Sequence, residues 1–157
     1  MDRAASDGEL RFIEDFALVL TEAGVPRMPA RVFACVLADD EGRVTAGELA
    51  RRLQVSPAAI SGAVRYLVQA RMLQKGREPR SRTDHYYLGD DLWYAAITNR
   101  TELLERWERS MADGAGLLGD RPAARRLRES QAFFAFLREE LPELMERWHL
   151  RRAELEV

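Results

Sequence analysis

Two helix starts lie only eleven residues apart in this chain, at Thr45 and Ser56. Thr45-x-x-Glu48 is a capping box: the Thr hydroxyl accepts from the N–H three residues on, and the Glu carboxylate reaches back to the Thr amide. Ser56 is a second N-cap, and Pro57 follows at the first helical position, where its missing N–H costs nothing. The first of these helices must therefore end near Leu53, leaving Gln54-Val55 as a tight turn, while the second runs to about Ala70. Leu49, Ala50 and Leu53 turn inward from the first. Ile60, Ala63, Val64, Leu67 and Val68 do so from the second at helical spacing. Met72 to Arg77 and Asp84 to Leu88 then read as strands joined by 78–83, with Tyr86 and Tyr87 favouring extended backbone, and Val44 reads as a short extended piece before the first helix.

Helix, tight turn, helix and a two-stranded hairpin make a winged helix-turn-helix, and the flanks are helical. Ser6-x-x-Glu9 opens a helix with one apolar stripe (Leu10, Ile13, Phe16, Ala17, Leu20) and a second, displaced one (Phe12, Val19, Ala23), so it is expected to be buried on two sides. Gly24 and Pro26 stop it. A further helix is expected from about Pro29 to Ala38, with a turn at 39–42. In the last third, Ile97, Leu104, Met111 and Leu118 recur every seven residues, with Trp93 and Trp107 between. Leu127, Phe134, Leu141, Trp148 and Leu155 do the same, with Leu137 and Leu144 between. Such a repeat marks helices packed at shallow angles. Gly114, Gly116 and Gly119 are expected to break the first of these helices, Asp120 to cap the second and Pro142 to kink it. The fold class is mainly α with a small β-hairpin wing. One domain of 1–157 holds a winged helix-turn-helix part (26–89) and a helical dimerisation part (7–25 and 90–157).

The net charge of −2 hides an uneven distribution. Residues 43–82 carry nine basic side chains and only Glu48 and Glu78 as acids, a local charge of +7. A basic block in an acidic chain is the electrostatic footprint of a polyanion partner. A solvated arginine face is the plainer reading, weakened by the scarcity of acids within the block. An α-helix fits the major groove, and its N-terminal residues meet base edges. The outward face of the second helix is Ser56, Pro57, Ala58, Ser61, Gly62, Arg65 and Gln69. Small residues there let the backbone approach; Ser61 suits a base edge and Arg65 a guanine or a phosphate. Arginines at the hairpin tip suit the negative potential of a narrow minor groove. The candidate DNA-contact set is Thr45, Arg52, Ser56, Pro57, Ala58, Ser61, Arg65, Arg77, Arg80 and Arg82. Arg51 and Arg52, being consecutive on a helix, are not both expected to reach phosphate.

At these residues the chain resembles the multiple-antibiotic-resistance regulator (MarR) family, in particular its glycine-betaine-synthesis regulator (GbsR) branch. The segments that carry the resemblance are 45–61 (TAGELARRLQVSPAAIS), 63–67 (AVRYL), Arg71-Met72-Leu73 into the wing and 85–93 (HYYLGDDLW) out of it. The resemblance spans nearly the whole chain. It implies an all-α dimer with a β-wing, and first and last helices that build the dimer interface. The wider family commonly places an Asp-Arg pair at the wing tip; here the tip is Pro79-Arg80-Ser81-Arg82.

Other chemistry has little to stand on. His85 and His149 are the only histidines, and no nucleophile elbow, phosphate loop or Cys/His metal cluster occurs, so no enzyme, metal or cofactor is expected. Cys35, the only cysteine, reads as a buried structural thiol rather than a redox sensor. Aromatic residues Trp93, Trp107, Trp148, Tyr86 and Tyr87 could cage a quaternary ammonium effector, but packing is the stronger reading for the tryptophans. The longest charge-free stretch, Leu53–Val64, is too short for a membrane span of about 20 residues. With no signal peptide apparent, a cytoplasmic setting is expected. The expected partners are duplex DNA and a second copy of the chain, with a small effector as an open option. A winged-helix module that binds protein and never DNA is the alternative.

Overall fold

The computed structural model describes residues 6–79, 81–89 and 92–155. The element order is α1 (Asp7–Glu22), α2 (Arg27–Leu37), β1 (Arg43–Thr45), α3 (Ala46–Leu53), α4 (Pro57–Gln69), β2 (Gln74–Arg77), β3 (Asp84–Tyr87), α5 (Leu92–Leu118) and α6 (Pro122–Glu154). The fold is mostly helical, with one small antiparallel sheet in the order β1-β3-β2. The chain divides between Ala96 and Ile97 into two compact units.

The first unit is built around Phe33 of α2, which is fully buried. Ile13 from α1, Leu49 from α3, Ile60 and Leu67 from α4, Leu73 before β2 and Tyr86 of β3 close the core with it. Three of the four expected caps are present. Ser6 Oγ accepts from Glu9 N–H, Thr45 and Glu48 form a complete capping box, and Ser56 Oγ accepts from Ala59 N–H. The tight turn between α3 and α4 depends on Gln54, whose φ of 53° puts it in the left-handed region and lets the chain reverse within two residues. α1 is buried on one side only: Ile13 and Ala17 face the core, and Phe12, Leu18 and Val19 stay exposed.

Some boundaries differ from the sequence expectation. α2 begins at Arg27, two residues before the expected start, because Pro26 takes the N-cap position and Pro29 fits within the first turn. The wing is three-stranded: Val44 pairs with Tyr86 on one side of β3, and Lys75 pairs with Tyr86 on the other. β2 starts at Gln74 rather than Met72, since Arg71 has a φ of 57° and Leu73 turns into the core.

The second unit contains the rest of α5 and all of α6. Gly114 and Gly116 do not break α5, which runs on to Leu118; Gly119, with a φ of 57°, ends it. Gly114 is a packing glycine, since a Cβ there would meet Leu127 Cδ1 at 3.0 Å. Asp120 does not cap α6. Arg121 holds the N-cap position without a side-chain bond, and Pro122 fixes the first helical residue in its place. α6 continues as helix through Pro142. Trp107 packs on Phe134 with ring centroids 5.3 Å apart, and Arg138 Nε donates to Glu108 at 2.9 Å. Among the described residues of this unit few side chains are buried (Leu104, Ala115, Ala124, Met145), whereas Phe133, Phe136, Leu144, Trp148 and Leu155 are exposed. No helix among the described residues is long and apolar enough to cross a membrane.

Candidate nucleic-acid interface

The outward face of α4 is what the sequence periodicity indicates. Pro57, Ala58, Ser61, Gly62, Arg65 and Gln69 are exposed, while Ile60, Ala63, Val64 and Leu67 are buried beneath them. The Ser56 hydroxyl oxygen accepts the Ala59 amide at 3.3 Å, which leaves its hydrogen available to an outside acceptor. Among the described residues, Arg65 has no ion-pair partner, so its guanidinium can engage a base or a phosphate at no cost to the fold. Tyr66 is absent from the sequence-derived set and is 37% exposed at the margin of this face. Its signal was available, because it stands one turn beyond Gly62 on a face already read as outward.

Several candidate residues are engaged inside the protein. Arg52 is the clearest case: Nη1 lies 2.7 Å from Asp39 Oδ1, Nη2 lies 3.3 Å from Glu9 Oε1, and its side chain is 17% exposed. Asp39 also accepts the Glu41 and Arg43 amides through Oδ2, so Arg52 ties α1 and α3 to the turn that enters the sheet. It is the member of the Arg51–Arg52 pair that turns inward. Arg31 makes a parallel tie, bonding Glu14 of α1 at 2.7 Å and the Leu53 carbonyl at 3.4 Å. Thr45 Oγ1 donates to Glu48 Oε2 at 2.8 Å and accepts the Glu48 amide, so its hydroxyl is spent on the capping box. The Thr45 amide and hydroxyl bonds hold the Glu48 carboxyl below its usual range.

The wing carries its own acid. Asp84 pairs with Lys75 at 2.8 Å and accepts from Arg77 at 2.7 Å; both bonds hold its carboxyl below the usual range, and its own bond to Lys75 raises that amine. Arg43 pairs with Glu78 at 2.9 Å. Arg43, Arg52, Lys75 and Arg77 of this basic block are thus ion-paired, the last three to acids outside 43–82. Arg82 is exposed, and Arg80 lies outside the described residues. Cys35 is fully buried beneath Arg52. Burial, partly offset by Arg52, pushes its thiol up to about 11. A protonated, enclosed thiol is a poor nucleophile and a poor redox sensor.

Residues 23–82 match the family model of the MarR family, and residues 91–152 match that of the MmpR5-like MarR family transcriptional regulators. Together the two matches span both units. No curated protein matches the chain. A crystal structure of a transcriptional regulator superposes with a TM-score of 0.79 at 23% identity, covering 91% of this chain and 99% of that one. That likeness shows the fold. The adhesin competence repressor AdcR from Streptococcus pyogenes is 20% identical over 86% of this chain and 96% of its own, with a TM-score of 0.40.

Proposed function

We propose that this chain, which belongs to the MarR family of transcriptional regulators, binds a near-palindromic operator in duplex DNA as a homodimer and acts as a repressor. The observation that carries the proposal is the outward face of α4, where Ser61 and Arg65 stand exposed on small neighbours and Ser56 caps the helix end. α4 is then the recognition helix in the major groove. Ser56 and Pro57 lie at its N-terminus, where backbone dipoles favour a phosphate. Arg77, Arg80 and Arg82 of the wing reach toward an adjacent minor groove, with Arg77 exchanging Asp84 for phosphate. Thr45 and Arg52 leave the contact set, since their polar atoms already hold the fold together. The dimer is supported by the apolar side chains that α1 and α6 leave exposed. Relief by a small effector and placement in the GbsR branch rest on the sequence resemblance, and a cytoplasmic setting on the single cysteine; these complete the proposal.

Titration of labelled DNA from upstream of the gene, at rising salt, tests the reading. If about three side chains per protomer reach phosphate, the log–log slope of affinity against salt should be about −5. Footprinting should show two half-sites with centres about 10 base pairs apart. A slope shallower than about −2 with no protected dyad would instead favour a winged-helix module that binds protein.

A further inference from the structure

Most described glycines have a reason inside the chain. Gly24, Gly42 and Gly119 have positive φ, and a Cβ on Gly76, Gly89 or Gly114 would run into Tyr87, Gln74 or Leu127. Gly62 has no such reason. It lies in the interior of α4, its φ is not positive, and a Cβ there would meet nothing within 4 Å. A glycine at such a position weakens the helix relative to alanine and gains nothing in packing. Gly8 and Gly116 share the open surroundings, but neither lies on α4.

What Gly62 creates is a notch. Its neighbours one turn away along the helix are Ala58 and Tyr66, both exposed. The floor is bare backbone, one end is a methyl group and the other is a phenol ring. The Gly62 N–H is used inside the helix, so the notch offers no donor to a phosphate oxygen. A small apolar projection fits it, and the major groove presents one, the 5-methyl group of thymine. We propose that Gly62 is a specificity-determining residue of this protein, and that the notch between Ala58 and Tyr66 seats a thymine 5-methyl in each half-site. The proposal rests on α4 being the recognition helix.

The test begins with duplexes selected from a random pool by the full-length protein. In the selected operator, each thymine is then replaced by deoxyuridine, which removes only the methyl group. One thymine per half-site should be sensitive. Losing its methyl should weaken wild-type binding about fourfold in one half-site, and about fifteenfold when both are replaced. Gly62→Ala should melt no lower than wild type, because alanine favours the helix. It should bind the thymine operator more weakly than wild type, and the deoxyuridine operator at least as well as the thymine one. Tyr66→Ala, which opens one end of the notch, should shrink the methyl effect. Wild-type indifference to every deoxyuridine would overturn the notch while leaving DNA binding intact, as would a Gly62→Ala protein that keeps the full methyl preference. Failure to enrich any duplex would overturn both the notch and the DNA-binding reading.

Discussion

The first unit closes a core around large apolar side chains and leaves Phe12, Leu18 and Val19 of α1 outside it, whereas the second unit buries few and leaves many exposed. Phe33, Ile13, Leu49, Ile60 and Leu67 are fully enclosed within the first unit. In the second, Leu144 is 50% exposed, Leu155 53% and Leu117 88%. Both units are made of helices with regular apolar spacing, so periodicity does not separate them. What separates them is the number of elements available to cover a helix face. The first unit has four helices and a sheet to close one core. The second has two long helices, and a pair can bury only the seam between them. It follows that the first unit closes a core of its own, while two helices alone leave much apolar surface uncovered in the second.

Five substitution experiments test that contrast. The largest effect is expected from Leu144→Asp with Leu155→Asp, two exposed positions, one on α6 and one at its C-cap. Light scattering should give the monomer mass of 17.9 kDa in place of twice that value. DNA affinity should fall by at least about 100-fold, because a symmetric operator needs two linked readers. Helical content should persist; a wild-type protein already monomeric at micromolar concentration would defeat the comparison.

Next come two phenylalanines compared directly. Phe33→Ala should lower the unfolding free energy by about 3–5 kcal/mol, the cost of a cavity in a closed core. Phe133→Ala, half exposed, should cost the folded chain under about 1.5 kcal/mol in the monomeric background. Urea denaturation measures both, and equal losses would show that the second unit is as closed as the first.

Arg52→Met should destabilise by about 2–4 kcal/mol, since it strands Asp39 and Glu9 half-buried without their cation. It should leave the salt slope of DNA binding unchanged, whereas Arg82→Ala should make that slope shallower by about 1. A shallower slope for Arg52→Met would restore Arg52 to the contact set. Arg65→Ala should cost about 1–3 kcal/mol of discrimination among operator variants. If it weakens every sequence equally, Arg65 holds phosphate instead.

The smallest effect concerns the capping box. Glu48→Gln should cost about 1 kcal/mol, with a defined dependence on pH. The folded state holds the Glu48 carboxyl lower than the unfolded chain does, so its stabilisation is complete above the usual carboxylate range. It is lost as pH falls through the lowered folded value. Thermal melts of wild type and Glu48→Gln should therefore differ at neutral pH and converge in acid.

Much of this was legible before any coordinates. The capping residues Ser6, Thr45 and Ser56 announced three helix starts because capping is local, a side chain bonding an amide a few residues away. The buried face of α4 was legible because helical periodicity is also local. The ends of α5 and α6 were not. Glycine and aspartate signal breaks only statistically; Leu127 settled the role of Gly114 by packing against it, and Pro122 set the start of α6. Val44 was read as extended, but its place as a third strand was hidden for a related reason, since it pairs with a residue more than forty positions away.

The charge map divides the two kinds of information most clearly. By itself, the sequence determined that a recognition-type helix carries an outward face of small residues with Ser61 and Arg65, and that its surroundings are rich in arginine. Which of those arginines remain available was decided only by the tertiary structure. Asp39 and Glu9 come from other elements to hold Arg52, and Asp84 sits across the sheet to hold Lys75 and Arg77. A charge belongs to the residue, so it can be counted along a chain. An ion pair belongs to a distance between side chains, and that distance exists only once the chain has folded.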